Sequence, residues 1–146
     1  MRQGYLLIET HPDFPGRVRL FRTDRLPAEL AEPDSGKHPR QPRIRYAALF
    51  NDLDVAAMHA HTALRRSLID IDASLYRTDP VRAIAAVESI GLRHRQIYLD
   101  PDVAADPALG AEVTRRQAWL HRRDRIWHGI GILALVLLLL KLVLGI

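Results

Sequence analysis

The chain has 146 residues, with 21 Lys and Arg against 17 Asp and Glu and a formal net charge of +4, which suits one small domain plus connections. It holds no cysteine, and this excludes disulfides, thiolate metal sites and a cysteine nucleophile. The basic balance raises nucleic acid as a partner, but much of the excess sits in residues 115–125 and there is no basic stripe with interleaved aromatics, so no nucleic-acid partner is expected.

In chain order, residues 4–10 are rich in strand formers, and residues 17–23 alternate Arg17 and Arg19 with Val18 and Leu20. Between them His11-Pro-Asp-Phe-Pro-Gly16 supplies turn residues, so the two strands form a hairpin in a sheet covered on one face. Residues 25–42 carry Pro27, Pro33, Pro39 and Pro42 and read as an exposed, flexible loop in which Leu26 to Leu30 can make a helical turn. Residues 43–50 read as a third strand, followed by Asn51 or Asp52 as a helix N-cap.

From there Leu53, Ala57, His61, Leu64, Leu68, Ile71 and Leu75 recur at helical spacing. Ile69, Ile71, Ala73 and Leu75 also alternate with Asp70, Asp72 and Ser74 as a strand would. No Gly, Pro or Asn interrupts the chain between Asn51 and Pro80, and this favours one long helix to about Tyr76. Asp79 before Pro80 starts a second helix that ends at Gly91, and residues 92–99 make a last strand. The result is an α+β domain over residues 1–100, with a small mixed or antiparallel sheet of about four strands and a helical pair.

Residues 101–125 form a linker and a basic helix. Arg115, Arg116, Arg122, Arg123 and Arg125 stand against Glu112 and Asp124. Residues 126–146 are almost wholly apolar and are expected to be a single C-terminal transmembrane helix, since about 20 apolar residues cross roughly 30 Å of hydrocarbon. Lys141 would snorkel to the far headgroups, while Trp119, Trp127 and His128 would sit at the near interface with the arginines on anionic lipid. The positive-inside bias then makes the protein tail-anchored in an inner or plasma membrane, single-pass, with the N-terminal domain cytoplasmic and the C-terminus on the opposite face.

For chemistry, His59 and His61 form an H-x-H pair, but two residues apart on a helix they diverge by about 200°, so no metal site is expected. Asp70 and Asp72, with Arg65 and Arg66, look like a surface charge patch in which Arg66 and Asp70 pair at a four-residue spacing. With Arg17 and Arg19 they are the candidates for facing a partner. Arg93-His-Arg95 reads as the exposed face of a strand. No nucleotide-loop or hydrolase motif occurs, and neither a cofactor nor catalytic residues are expected.

The function these features suggest is a non-catalytic, tail-anchored accessory subunit that docks on and stabilises an integral membrane protein complex. The alternatives are a membrane-anchored metal-dependent enzyme using His59 and His61, and an adaptor or sensor that presents the 25–42 loop to a soluble partner.

Overall fold

A computed structural model describes residues 2–31 and 41–144. The chain divides into two compact units, Met1–Val113 and Thr114–Ile146. The first is α+β and is built on a six-stranded sheet in the order β4-β5-β2-β1-β3-β6, with every neighbouring pair antiparallel.

Strands β1 (Gly4–Thr10) and β2 (Val18–Thr23) form the hairpin, with Tyr5 opposite Thr23 and Thr10 opposite Val18. Its turn uses Gly16 at φ +71°, a left-handed conformation that glycine adopts without steric cost. Strand β3 (Arg43–Phe50) lies on the other side of β1. The register slips between Ile8 and Glu9, leaving Arg45 as the extra residue of a bulge. Helix α1 (Ala28–Ala31) is a single turn within the proline-rich stretch, and residues 32–40, half of the expected flexible loop of 25–42, lie outside the described residues.

Helix α2 (Leu53–Leu64) begins where Asp52 caps it, the Asp52 side chain accepting from Val55 N at 3.3 Å. The expected continuation to Tyr76 does not occur. The chain passes from α2 through a 3-10 turn, Arg65–Ser67, into β4 (Leu68–Asp70), reverses, and returns as β5 (Leu75–Tyr76). The reversal needs no Gly, Pro or Asn. Asp70 Oδ1 accepts from the N–H groups of Asp72 and Ala73 at 2.9 and 3.1 Å, and Ser74 takes φ 49°. An aspartate side chain thus stands in for the turn residue, and period-two alternation outranks punctuation here.

Helix α3 (Pro80–Glu88) is capped by Asp79, whose Oδ1 accepts from Val81 N at 2.7 Å. Strand β6 (His94–Leu99) completes the sheet beside β3, with Leu49 opposite Arg95 and Phe50 opposite His94. A short α4 (Pro101–Ala104) follows, and α5 (Pro107–Leu144) runs on from there.

The main core joins one sheet face to α2 and α3. Leu6, Ile8, Leu20, Tyr46, Ala48 and Phe50 from the sheet meet Leu53, Ala56, Ala60, Ile84 and Val87, all buried. Alternation along β1 sends Leu7 the other way, into a smaller cluster with Ile44 and Ala47, against which Tyr5, Phe21, Leu30 and Ile97 pack. The sheet therefore has apolar packing on both faces, not one.

The sequence expectation of about four strands and a spanning helix is corrected on two counts. The sheet has six strands, because β4 and β5 arise from the segment expected to be helix. Among the described residues no helix is long and apolar enough to cross a membrane, which overturns the transmembrane, tail-anchored, single-pass reading. The inner- or plasma-membrane placement, with a cytoplasmic N-terminal domain and the C-terminus on the opposite face, falls with it. The physical reason is length. Over the described side chains the apolar run of α5 extends from Ile130 to Leu140, bounded by His128 and Lys141, and at 1.5 Å per residue it covers roughly half of a 30 Å hydrocarbon layer.

Candidate functional site

Two clusters of polar groups in the first unit lie at the two ends of the β3–β6 ladder. At one end Asp100, the only fully buried charged residue among those described, sits between two arginines. Arg43 Nη2 donates to Asp100 Oδ1 at 2.9 Å, and Arg45 Nη1 donates to Oδ2 at 3.3 Å. Arg43 Nε lies 2.7 Å from Oδ2, off the hydrogen-bonding angle. Asp100 also caps α4 through Asp102 N at 2.9 Å, and its own N–H donates to Arg45 O in the β3 bulge at 2.9 Å. Arg45 Nε donates to Thr10 Oγ1 at 2.9 Å. Buried charge is tolerable here because two cations and a backbone donor meet it.

The other end of the ladder is open. Leu49, Asn51, Arg93, His94 and Arg95 line a shallow cavity of about 250 Å³. Arg93 and Arg95 are exposed, and no carboxylate among the described residues pairs with either. His94, between them, turns its ring toward the helices: it stacks on Phe50 at 4.8 Å between centroids. Its Nδ1 meets Leu92 O at 2.9 Å and its Nε2 meets Glu88 Oε2 at 3.2 Å. Glu88 Oε1 in turn accepts from the Tyr46 hydroxyl. Burial, aided by the hydrogen bond to Glu88 and then by its charge, pushes the Tyr46 phenol far above its ordinary range, so it stays a donor.

His61 is placed differently. On α2 its Nδ1 faces the Tyr76 hydroxyl, and its pKa is lowered, first by burial and then by the Arg22 charge. A neutral ring accepting from Tyr76 fits both facts. His59 is exposed, and two residues apart on α2 the two side chains leave the helix about 200° from each other. Among the described residues no group of three or more His, Asp or Glu is arranged to hold a metal ion.

The partner-facing candidates do not form one patch. Arg19 Nη1 pairs with Glu9 at 3.1 Å, and the Arg17 guanidinium lies 5.4 Å from the Phe14 ring centroid. Arg65 and Arg66 fall in the 3-10 turn, so the helical Arg66–Asp70 pair is lost and the Asp70 carboxylate serves the reversal. Asp72 is exposed in that reversal. Of the residues expected at a membrane edge, Trp119 and Trp127 are 60% and 65% exposed. Arg115, Arg122, Arg125, His128 and Lys141 are also exposed, Arg116 is half-buried, and the Arg123 side chain lies outside the described residues. The residues sequence reasoning passed over are Tyr46, Glu88 and Asp100. Nothing in their spacing marks them, since each gains its partner from a different element.

No protein-family model matches the chain, and neither a curated protein nor a solved structure is significantly similar to it.

Proposed function

We propose that this chain is a non-catalytic accessory subunit that docks on a larger protein complex through its C-terminal helix. One observation carries the reading. From Ile126 to Leu140 the large apolar side chains described on α5 are 50% to 68% exposed. Surface of that kind marks a contact with something else, because each such side chain gains about 1.5–3 kcal/mol when fully buried. Leu137, Leu138, Leu139 and Leu140 follow one another and so cover every side of a helix with 3.6 residues per turn. A flat partner surface would cover only part of them. The fitting partner is an apolar channel between helices of a larger assembly.

Native-gel and size analysis of the full chain from its own cells, with cross-linking from the 126–141 region, tests this. A partner in fixed ratio, lost when Leu138 is replaced by Glu, supports it. A monodisperse monomer with no cross-linked protein rejects it. The metal-enzyme reading has less support, because His61 is engaged by Tyr76 and diverges from His59. Half of the 25–42 loop on which the adaptor reading turns lies outside the described residues.

A further inference from the structure

We propose that the open end of the β3–β6 ladder is a binding site for a phosphate-type oxyanion, held by Arg93 and Arg95 with Asn51 beside them. This does not rest on the docking reading above. The first support is a contrast within the sheet. Every arginine on β2 and β3 has a carboxylate: Arg19 has Glu9, Arg22 has Asp54, and Arg43 and Arg45 share Asp100. Arg95 on β6 and Arg93 just before it have none among the described residues, although they sit as close in sequence as Arg43 and Arg45.

Arg93 stands just before β6 and Arg95 within it, and at about 3.3 Å per residue their backbones lie no more than about 7 Å apart, close enough for both guanidinium forks to reach a single ligand. Like charges held that near repel, and an anion between them converts the repulsion into attraction. The planar fork matches the oxygens of phosphate, with two parallel hydrogen bonds from each guanidinium.

The walls fit the same chemistry. Leu49, opposite Arg95, offers an apolar side that weakens solvent screening, and continuing the register one residue past Phe50 and His94 sets the neutral amide of Asn51 opposite Arg93. A carboxylate there would repel the ligand; an amide can donate to it. At about 250 Å³ the cavity is below the size usual for a drug-sized molecule, so it takes one charged group while the remainder of the ligand stays in solvent. The start of β6 is also held in place before any ligand arrives, since His94 is tied to Glu88, Leu92 and Phe50. That pre-positioning lowers the ordering cost of binding.

The test titrates the full chain with inorganic phosphate and, separately, with a phosphoserine peptide in constant chloride. It follows the Arg Nε–Hε and Asn51 amide resonances and measures Kd by calorimetry. Phosphate should shift Arg93, Arg95 and Asn51, and the double variant R93Q/R95Q should bind about tenfold more weakly or worse. R65Q/R66Q, which removes two exposed arginines away from this cavity, should bind as the parent does. Tighter binding of the peptide than of phosphate assigns the oxyanion to a modified protein; equal binding assigns it to free phosphate or a small ester. If these resonances stay fixed at millimolar phosphate and peptide, or if R93Q/R95Q binds as tightly as the parent, the proposal is overturned.

Discussion

At one end of the β3–β6 ladder Arg43 and Arg45 close on the buried Asp100, and at the other Arg93 and Arg95 stand beside Asn51 with no acid among the described residues to meet them. Both pairs are written in the sequence as Arg-x-Arg. What separates them is the chain opposite. After β6 the backbone turns into α4, whose first turn needs an acceptor, and Asp100 supplies it where two guanidiniums can also reach. After β3 the backbone leaves through Asn51, while the capping acid, Asp52, turns to the Val55 N–H in the first turn of α2. One carboxylate is thereby shared with the sheet and the other is not. Paired arginines hold the fold at one end, and unpaired ones leave an electrostatic demand at the other that a ligand can answer.

The largest effect that could break this comparison is at the closed end. Asp100→Ala leaves two partly buried arginines with only the exposed carboxylate of Asp102, 3.0 Å from Arg43 and 3.7 Å from Arg45, and uncaps α4, and it should destabilise the first unit by about 3 kcal/mol. Urea unfolding followed by circular dichroism measures it. A loss below about 1 kcal/mol would show that the arginines find water there and that the two ends differ less than their geometry implies. Next in size is Tyr46→Phe. It removes the hydroxyl that donates to Glu88, the acid that also holds His94, and should cost about 1–2 kcal/mol in the same experiment.

Much of the closed end was hidden in the sequence for a reason these variants expose. Strands β1, β2, β3 and β6 lie where alternation and turn residues place them, and Asp52 and Asp79 cap helices as their positions suggest. Those are local signals. Asp100 reads only as the last residue of the domain before the linker, and only the β3 bulge, 55 residues earlier, brings Arg45 to it. The β4–β5 reversal was missed because its turn is made by the Asp70 side chain and by Ser74, residue types that also occur in helices. The spanning-helix expectation is overturned because, among the described residues, no helix is long and apolar enough to cross a membrane. The triplet at Arg93 was visible, but its lack of acids was not, since absence of a partner is a property of the whole sheet.

A difference defined by charge is sharpened by pH, and His61 provides a proton-linked step away from both ends. Its folded pKa is lowered from 6.5, first by burial and then by Arg22, so between that lowered value and 6.5 the unfolded chain binds more protons than the folded one. Stability from this group is therefore complete above pH 6.5 and declines as the pH falls below it. The ring is partly exposed, so the effect is small. His61→Gln should flatten that part of a stability-against-pH curve while leaving the Asp100→Ala loss at pH 7 unchanged. If the parent curve slopes the other way, the neutral His61–Tyr76 pairing is wrong.

The smallest expected effect is the most discriminating. If Arg93 and Arg95 are poised for a ligand and hold nothing together, R93Q/R95Q should change unfolding free energy by no more than about 0.5 kcal/mol without phosphate, with relief of like-charge repulsion setting the sign toward stabilisation. Added phosphate should raise the parent's melting temperature and leave the double variant's where it was, because only a folded state that binds the anion gains from it. The same substitutions at Arg43 and Arg45 should do the reverse: a large loss without phosphate, and a phosphate response like the parent's. A loss from R93Q/R95Q as large as that from the Arg43 and Arg45 variant would make both pairs structural and erase the distinction between the two ends of the ladder.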